Sequence, residues 1–308
     1  MKTEHLNIYN SSVDNPVNNE YPAPKNSFRQ PALHMVVGVR NTGKSFLTSK
    51  ILAQAKKDKT FNRIYIVTPS FLSNKAYFGE YINPEDVYEP TKDAINNVIE
   101  QVELDRDLFE EYLMKKELYK QFSKDIKSRR AIGDDSLELY NECGFLDNPE
   151  KPEYKYGKEE PPKSLLILDD CLGSPAILQS SGLTRCATLN RHIAPLKEPH
   201  SNRSACGLAV IILSQTYKMN NGFSRCLREN LSLLTLFKNK QDKQIDCIKE
   251  ELANVVDIDL FDEAYEYATR DKYGSLTVDF RPRCNTQTFR KNLNELIKFD
   301  KLPCECKK

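Results

Sequence analysis

The amino-acid sequence predicts an α/β fold with a mostly parallel central sheet. Two observations support it: five continuous apolar runs have the length of strands, and segments long enough for helices separate them. Strands buried on both faces of a parallel sheet form continuous apolar runs, and parallel neighbours need crossover helices. The predicted strands are residues 33–39, 63–69, 164–170, 208–215 and 232–239.

A sixth segment, residues 273–282, alternates apolar and polar side chains. This pattern is typical of a strand with one solvated face, so we expect an antiparallel strand at the edge of the sheet. Residues 46–55 carry apolar side chains at helical spacing directly after the first strand, which predicts an amphipathic helix there.

The domain organisation follows from composition. Residues 1–28 are rich in Asn, Pro and Ser and have few apolar positions, which predicts a flexible N-terminal arm. Residues 29–308 then form one domain, because 308 residues suffice for a single elaborated core. Within it, residues from about 84 to 162 are too long for a simple crossover and carry apolar stripes at helical spacing, which predicts a helical insertion.

The insertion has two open interpretations. It is a charged helical element that packs on the sheet, or it contacts a partner or DNA through Lys127, Arg129 and Arg130. The formal net charge of the whole chain is +1, from 45 basic and 44 acidic side chains, so any DNA contact must be local. No apolar run approaches the length of a membrane span, so we predict no membrane-spanning segment.

The first predicted strand leads into the sequence GVRNTGKS, which matches the pattern G-x-x-x-x-G-K-S/T between a strand and a helix. Such a P-loop wraps phosphates with backbone amides, and its lysine reaches the β- and γ-phosphates. We predict that Lys44 plays this part and that the Ser45 hydroxyl binds Mg²⁺. The predicted nucleotide-binding residues are Gly38, Val39, Arg40, Asn41, Thr42, Gly43, Lys44, Ser45 and Phe46.

Two other strands end in polar side chains that suit the same chemistry. The apolar run of residues 165–168 ends in Asp169 and Asp170. A carboxylate at this place holds Mg²⁺, so Asp169 is the predicted second metal ligand. Asp170 is then placed to orient the attacking water or accept its proton. Gln215 ends the fourth strand, where an amide can position water or contact the γ-phosphate.

Five segments together resemble the viral genome-packaging ATPases of the FtsK/HerA superfamily, found in poxvirus-like large DNA viruses, virophages and Polinton-like elements. The segments cover about 200 residues and read GVRNTGKS (38–45), LLILDD (165–170), LNRH (189–192), AVIILSQTYK (209–218) and LRENLSLLTLFK (227–238). The resemblance implies a three-layer, RecA-like P-loop NTPase of the additional-strand division. Its fourth strand would lie between the P-loop strand and the acidic strand, which would bring Gln215 to the γ-phosphate.

The same resemblance implies the function and the partners. The cofactors would be ATP and Mg²⁺, and the protein would hydrolyse ATP to drive double-stranded DNA into a capsid. It would act as a pentameric or hexameric ring at the capsid or portal vertex, in the host cytoplasm or nucleus at the assembly site or in the virion.

In such a ring, a neighbouring subunit can supply an arginine to the developing charge on the phosphates. Arg191 is the first candidate, because an Arg-His pair precedes the fourth strand in that family. An insertion after His192 leaves Arg203 as an alternative, and Arg225 and Arg228 are further candidates.

Two other functions stay open on the sequence. An ATP-dependent assembly switch or scaffold would bind nucleotide without translocating DNA. A P-loop nucleotide kinase would transfer phosphate to an acceptor, but it would have no use for Gln215 or for the Arg-x-Asn segment at residues 228–230.

Overall fold

The structure is a computed structural model, and it describes residues 19–22, 24, 27–128, 131–218, 225–239 and 242–299. All five predicted buried strands are present, each one to three residues shorter than the apolar run. The strands are β1 (Leu33–Val37), β2 (Arg63–Val67), β3 (Val87–Tyr88), β4 (Ser164–Asp169), β5 (Pro195–His200), β6 (Arg203–Ala205), β7 (Leu208–Ser214), β8 (Leu233–Phe237), β9 (Ser275–Asp279), β10 (Phe289–Lys291) and β11 (Glu295–Leu296).

The main sheet has the order β11-β10-β9-β8-β1-β7-β4-β2-β3. From β8 to β3 all neighbours are parallel. The predicted additional strand is confirmed, because β7 lies between the P-loop strand β1 and the acidic strand β4. Since these strands are parallel, their carboxyl ends meet at one edge of the sheet.

The antiparallel strand is confirmed in direction but not in position. β9 pairs antiparallel with β8, as predicted, yet β10 and β11 continue the sheet beyond it. All five residues of β9 are buried, so the expected solvated face does not exist. Thr277 and Ser275 supplied the polar half of the pattern; Thr277 lies in the interior, where it hydrogen-bonds Thr235 at 2.7 Å.

Helices cover both faces of the sheet and give the three predicted layers. They are α1 (Lys44–Asp58), α2 (Phe71–Phe78), α3 (Ala94–Ser128), α4 (Asp134–Glu142), α5 (Pro175–Leu178), α6 (Ser181–Leu189), α7 (Arg225–Glu229), α8 (Asp242–Leu252) and α9 (Ile258–Ala268). Alternation along β1 shows the layering, since Met35 belongs to the core under α3, α6 and α9, whereas Val36 belongs to the core under α1 and α2. Within the described ranges, no helix is both long and apolar enough to cross a bilayer.

The predicted insertion contains α3 and α4, but its first residues include β3, which pairs with β2 in the main sheet. The 35-residue α3 buries its first turns against the sheet through side chains such as Ile95, Ile99 and Val102. Its last turns pack on α4 in a separate aromatic core formed by Phe122, Tyr140 and Phe145. Arg129 and Arg130 lie outside the described residues.

The predicted N-terminal arm is packed where the structure describes it. Residues 1–18 lie outside the described part. Tyr21 is buried, with its ring against Phe61 and beneath the Arg203 guanidinium. The Asn19 amide oxygen accepts hydrogen bonds from the backbone of β6. Composition did not reveal these contacts, because two side chains carry them in an otherwise polar segment.

Candidate functional site

The P-loop connects β1 to α1 at the carboxyl edge of the sheet, and its glycines are required by geometry. A Cβ on Gly38 would lie 2.5 Å from the Thr42 hydroxyl oxygen, so only glycine fits there. Gly43 has φ of 104°, a left-handed conformation that side chains disfavour. Gly43 precedes the first residue of α1, so the loop ends at the positive end of a helix dipole.

Lys44 lies across the loop. Its ammonium donates hydrogen bonds to the carbonyls of Gly38 at 2.6 Å and Val39 at 3.1 Å. Burial lowers the pKa of Lys44, and the carboxylates of Asp170 and Asp169 oppose that shift. Both acids therefore lie within electrostatic range of the P-loop lysine, as expected of a single site.

Asp169 ends β4 as a buried carboxylate, with 4% of the residue exposed. Its Oδ2 accepts hydrogen bonds from the Asn74 amide at 2.7 Å and the Thr68 hydroxyl at 3.4 Å. Burial and the neighbouring Asp170 raise the pKa of Asp169 to about 6. No lysine or arginine of the described part forms an ion pair with Asp169, so a bound cation would relieve the cost of burying its charge.

Asp170 follows at the exposed carboxyl end of β4, in a left-handed conformation with φ of 50°. Aspartate tolerates this conformation better than most residues, and such backbone is frequent at functional sites. Gln215, the residue after β7, donates from its amide to the Asp170 carboxylate at 3.4 Å. The structure therefore brings together Lys44, Asp169, Asp170 and Gln215 at the carboxyl ends of β1, β4 and β7.

The residues present fit a magnesium ion bound with a triphosphate. Mg²⁺ prefers oxygen ligands and is usually held by one or two carboxylates together with substrate phosphates. Ser45 is half-buried in the first turn of α1, and Asp169 supplies a carboxylate near Lys44. Phe46 is 53% exposed beside the loop instead of lying on the apolar face of α1, and it leaves a ring available to a ligand.

Arg191 lies away from this group. It is exposed in a 3-10 turn after α6. Its carbonyl lies 3.6 Å from the position of a Cβ on Gly207, the residue before β7. Arg191 is therefore at the amino edge of the sheet, opposite to the P-loop, and could reach phosphates only on another subunit.

Arg203, the alternative to Arg191, is buried and cannot present its guanidinium to a neighbour. It is 1% exposed and donates to the carbonyls of Pro161 at 2.8 Å, Pro162 at 3.2 Å and Cys206. The proposal of Arg203 as an arginine finger is wrong, because these carbonyls of the loops before β4 and β7 already surround the side chain.

The remaining arginine candidates differ from each other. Arg228 has a side chain only 6% exposed, and two of its nitrogens hold the Glu251 carboxylate at 2.8 and 2.9 Å. That ion pair fastens α7 to α8 and makes Arg228 a structural residue. Arg225 is exposed on α7, where it pairs with Glu229 at 2.7 Å.

Sequence reasoning missed Thr68 and Asn74, which hold Asp169 in place. Thr68 follows β2, so its position at a strand end was a usable signal once β2 was known to neighbour β4. Asn74 lies inside α2, and nothing in its sequence surroundings distinguishes it from a solvated helix residue.

Comparison with known proteins gave structural likenesses only. No protein-family model matches the chain, and no curated protein matches its sequence. A genome-packaging NTPase from Sulfolobus turreted icosahedral virus 2, solved with ATPγS, is 15% identical with a TM-score of 0.42, over 87% of this chain and all of that one.

Two larger proteins share less of their length with the chain. The pCW3 conjugation coupling protein TcpA, in its monomer form with ATPγS, is 15% identical with a TM-score of 0.35, over 72% of this chain and 52% of that one. The cytoplasmic domain of the Thermomonospora curvata type VII secretion ATPase EccC is 13% identical with a TM-score of 0.37, over 84% of this chain and 25% of that one. Likenesses of this size carry no weight for function, whereas the chain's own strand order and P-loop give it the fold of an additional-strand P-loop NTPase.

Proposed function

We propose that this protein is an ATP-hydrolysing motor that packages double-stranded viral DNA into a capsid as an oligomeric ring. One observation carries the enzymatic part: the P-loop lysine, the acid pair Asp169 and Asp170, and Gln215 converge at one edge of a parallel sheet. A triphosphate lying in the P-loop would touch all of them, which is the arrangement that phosphoryl transfer to water needs.

The P-loop and α1 would bind the nucleotide. The backbone amides of residues 38–45 and the amino end of α1 would face the phosphates, and Lys44 would exchange its two carbonyl acceptors for phosphate oxygens. Ser45 and Asp169 would hold Mg²⁺, which offsets the charge of the phosphates when bound. Asn74 and Thr68 keep the Asp169 carboxylate oriented before any ligand arrives.

Asp170 is the group that would act on water. It is exposed at the strand end, so it can accept the proton of the attacking water or orient it. Gln215 contacts Asp170 and follows β7, the strand between β1 and β4. Its amide can therefore contact both a phosphate bound in the P-loop and the Asp170 carboxylate. A nucleotide that draws Gln215 toward the phosphates would free the Asp170 carboxylate for water.

A ring would complete the site with an arginine in trans. Arg191 is the first candidate, since it is exposed at the edge of the sheet opposite to its own P-loop. Arg225 is the second, because it is exposed and its partner within the described ranges is an exposed glutamate one helical turn away. A pentameric or hexameric ring at the capsid or portal vertex accommodates either choice.

The packaging role rests on the sequence resemblance and on one local basic surface. Lys116, Lys120, Lys124 and Lys127 follow each other at spacings of three or four along α3, so they share one face of the helix. With Lys151 they line a groove of about 550 Å³, and we call these five residues the lysine face. Such a face suits the phosphate backbone of DNA, which is bound without regard to sequence.

The test is ATP hydrolysis with and without duplex DNA, together with the mass of the assembly, for the wild type, Lys44→Ala and Arg191→Ala. We expect turnover that duplex DNA stimulates, its loss in Lys44→Ala, and an assembled Arg191→Ala ring that hydrolyses slowly. Assembly on ATP without turnover would favour the scaffold, and phosphate transfer to an added nucleoside monophosphate would favour the kinase. Unchanged turnover in an assembled Arg191→Ala ring would move the finger to Arg225.

A further inference from the structure

The two sides of the P-loop carry different chemistry. On the side of β7 and β4 lie the acids and Gln215. On the side of β8 and β9 lie two aromatic rings, those of Phe237 and Tyr273. A Cβ built on Gly43 would lie 3.6 Å from Phe237 Cε1 and 3.7 Å from Tyr273 Cδ1, so both rings lie directly against the end of the loop.

The direction of a bound nucleotide follows from the proposed function, on which this inference rests. The γ-phosphate must point toward Asp169, Asp170 and Gln215, which lie on the β7 and β4 side of β1. The sugar and base then leave the loop at its other end, toward α1, β8 and β9. Tyr273 lies on that side, two residues before β9.

Tyr273 is presented to solvent by a constrained turn. Its backbone is left-handed, with φ of 69°, and the residue is 57% exposed. Gly274 follows it, and a Cβ there would lie 2.3 Å from the Ala268 carbonyl oxygen, so the turn is too tight for any other residue. The Gly274 amide donates to the Asp271 carbonyl at 2.9 Å and closes the turn. The tight turn thus fixes the backbone from which the ring extends beside the P-loop.

Exposure alone does not mark a binding residue, as Tyr267 demonstrates. Tyr267 is 48% exposed with Lys291 5.0 Å from its ring centroid, and Tyr273 has Lys272 at the same distance. The two tyrosines differ in that Tyr273 borders the P-loop glycine. Phe46, the third residue of α1 and the neighbour of the P-loop residue Ser45, also has an exposed ring, with Lys50 4.7 Å from its centroid.

We propose that Tyr273 is the platform on which the base of the bound nucleoside triphosphate stacks, with Phe46 at the rim of the same subsite. Stacking of a base on an aromatic side chain contributes about 1–3 kcal/mol, and every base has a π-face to offer. Loss of the ring should therefore weaken nucleotide binding by about 5- to 150-fold. Binding of a phosphate chain that has no base should not change.

The experiment measures affinity by calorimetry in Mg²⁺ for two probes, ATPγS and inorganic tripolyphosphate. The variants are Tyr273→Ala, Tyr273→Phe and the matched control Tyr267→Ala. We expect Tyr273→Ala to weaken ATPγS binding by the stated factor and to leave tripolyphosphate binding within about twofold. Tyr273→Phe keeps the ring and should bind ATPγS as the wild type does, as should Tyr267→Ala.

Three results would overturn the inference. The first is unchanged ATPγS affinity in Tyr273→Ala. The second is an equal loss of affinity for both probes in Tyr273→Ala, which would mean damage to the P-loop. The third is an equal loss of ATPγS affinity in Tyr267→Ala. Failure of the nucleotide site, on which the proposed function depends, looks different, because the wild type would then bind neither probe. Wild-type protein that binds both probes while Tyr273→Ala behaves normally rejects the base platform alone.

Discussion

At the carboxyl edge of the parallel strands, the buried Asp169 has no lysine or arginine partner in the described part of the chain. At the amino edge, Arg203 is buried with its guanidinium surrounded by backbone carbonyls. At the amino edge, Arg63 also pairs with the buried Asp86 at 2.7 Å. Arg63 and Arg203 therefore have acceptors within the chain, whereas among the described residues the Asp169 carboxylate accepts only from the neutral side chains of Thr68 and Asn74.

The partners of each arginine decide which of them can act on the nucleotide of a neighbouring subunit. The sequence left four of them as possible fingers, with Arg191 first, because nothing there shows which guanidinium already has acceptors. Arg203 and Arg228 are held by carbonyls and by Glu251, respectively, and only Arg191 and Arg225 are exposed. An arginine whose guanidinium already has acceptors is therefore structural, whereas an exposed arginine can act on a neighbouring subunit.

The largest expected effect is at the carboxyl edge. Asp170→Asn keeps the size of the side chain but removes the base, so kcat for ATP hydrolysis should fall by about 10²- to 10⁴-fold. Affinity for MgATPγS should stay close to that of the wild type, because Asp170 is exposed and Asp169 is untouched. Steady-state kinetics and calorimetry on the same preparations measure both quantities. Equal losses of kcat and affinity would show that Asp170 acts in binding.

The next effect belongs to the amino edge. Arg203→Met removes the donors of three carbonyls, at Pro161, Pro162 and Cys206, so the free energy of unfolding should fall by about 3 kcal/mol. Denaturant unfolding measures it. Arg191→Ala is the control and should lose less than about 0.5 kcal/mol, because the side chain is exposed. Equal stability of the two variants would contradict the assignment of Arg203 to structure.

These same residues show which parts of the fold and of the site could be predicted from the sequence. The five buried strands were predictable, because continuous apolar runs admit few alternatives, and the family resemblance implied that β7 lies between β1 and β4. Arg203 was not predictable, because two of the carbonyls that it contacts, those of Pro161 and Pro162, belong to a segment 41 and 42 residues earlier in the chain. Asn74 and Tyr273 were missed for a similar reason, because neither belongs to a sequence motif and only the folded chain brings each of them beside the site.

A third prediction concerns His34, the second residue of β1. Burial lowers its pKa to about 3, and its Nε2 lies 2.8 Å from the Thr235 hydroxyl. The unfolded chain takes up a proton near pH 6.5 and the folded chain does not. Stability should therefore decrease as the pH falls below about 6.5, by about 2 kcal/mol at pH 5 from this group alone.

His34→Gln removes that contribution, so its free energy of unfolding should depend less on pH between about 6.5 and 5, by about 2 kcal/mol. His192→Gln, at an exposed position, should keep the wild-type dependence. The same pH dependence in both variants would show that His34 is protonated in the folded protein.

The smallest expected effect concerns DNA binding by the lysine face of the helical insertion. Among the described residues, Lys124, Lys127 and Lys151 of the lysine face pair with no carboxylate, so they are available to phosphates. Changing these three to Gln should weaken duplex DNA binding by about tenfold and lower the salt dependence by about one unit of slope per lysine. Basal ATP hydrolysis should not change.

The matched control changes three exposed lysines elsewhere, Lys57, Lys92 and Lys298, to Gln. Fluorescence anisotropy at several salt concentrations compares the two triple variants. If both lose DNA affinity equally, binding follows total charge and not the lysine face. If neither loses it while hydrolysis is still stimulated, DNA contacts another surface.

The most direct measurement is the gain in ATPγS affinity that Mg²⁺ brings, determined by calorimetry for wild type, Asp169→Asn, Lys44→Ala and the double variant. We expect Mg²⁺ to tighten binding in the wild type, and Asp169→Asn to abolish that gain while affinity without metal persists. The two substitutions should be non-additive, because both groups act on one metal-bound triphosphate. An undiminished Mg²⁺ gain in Asp169→Asn, with additive losses in the double variant, would contradict a shared site.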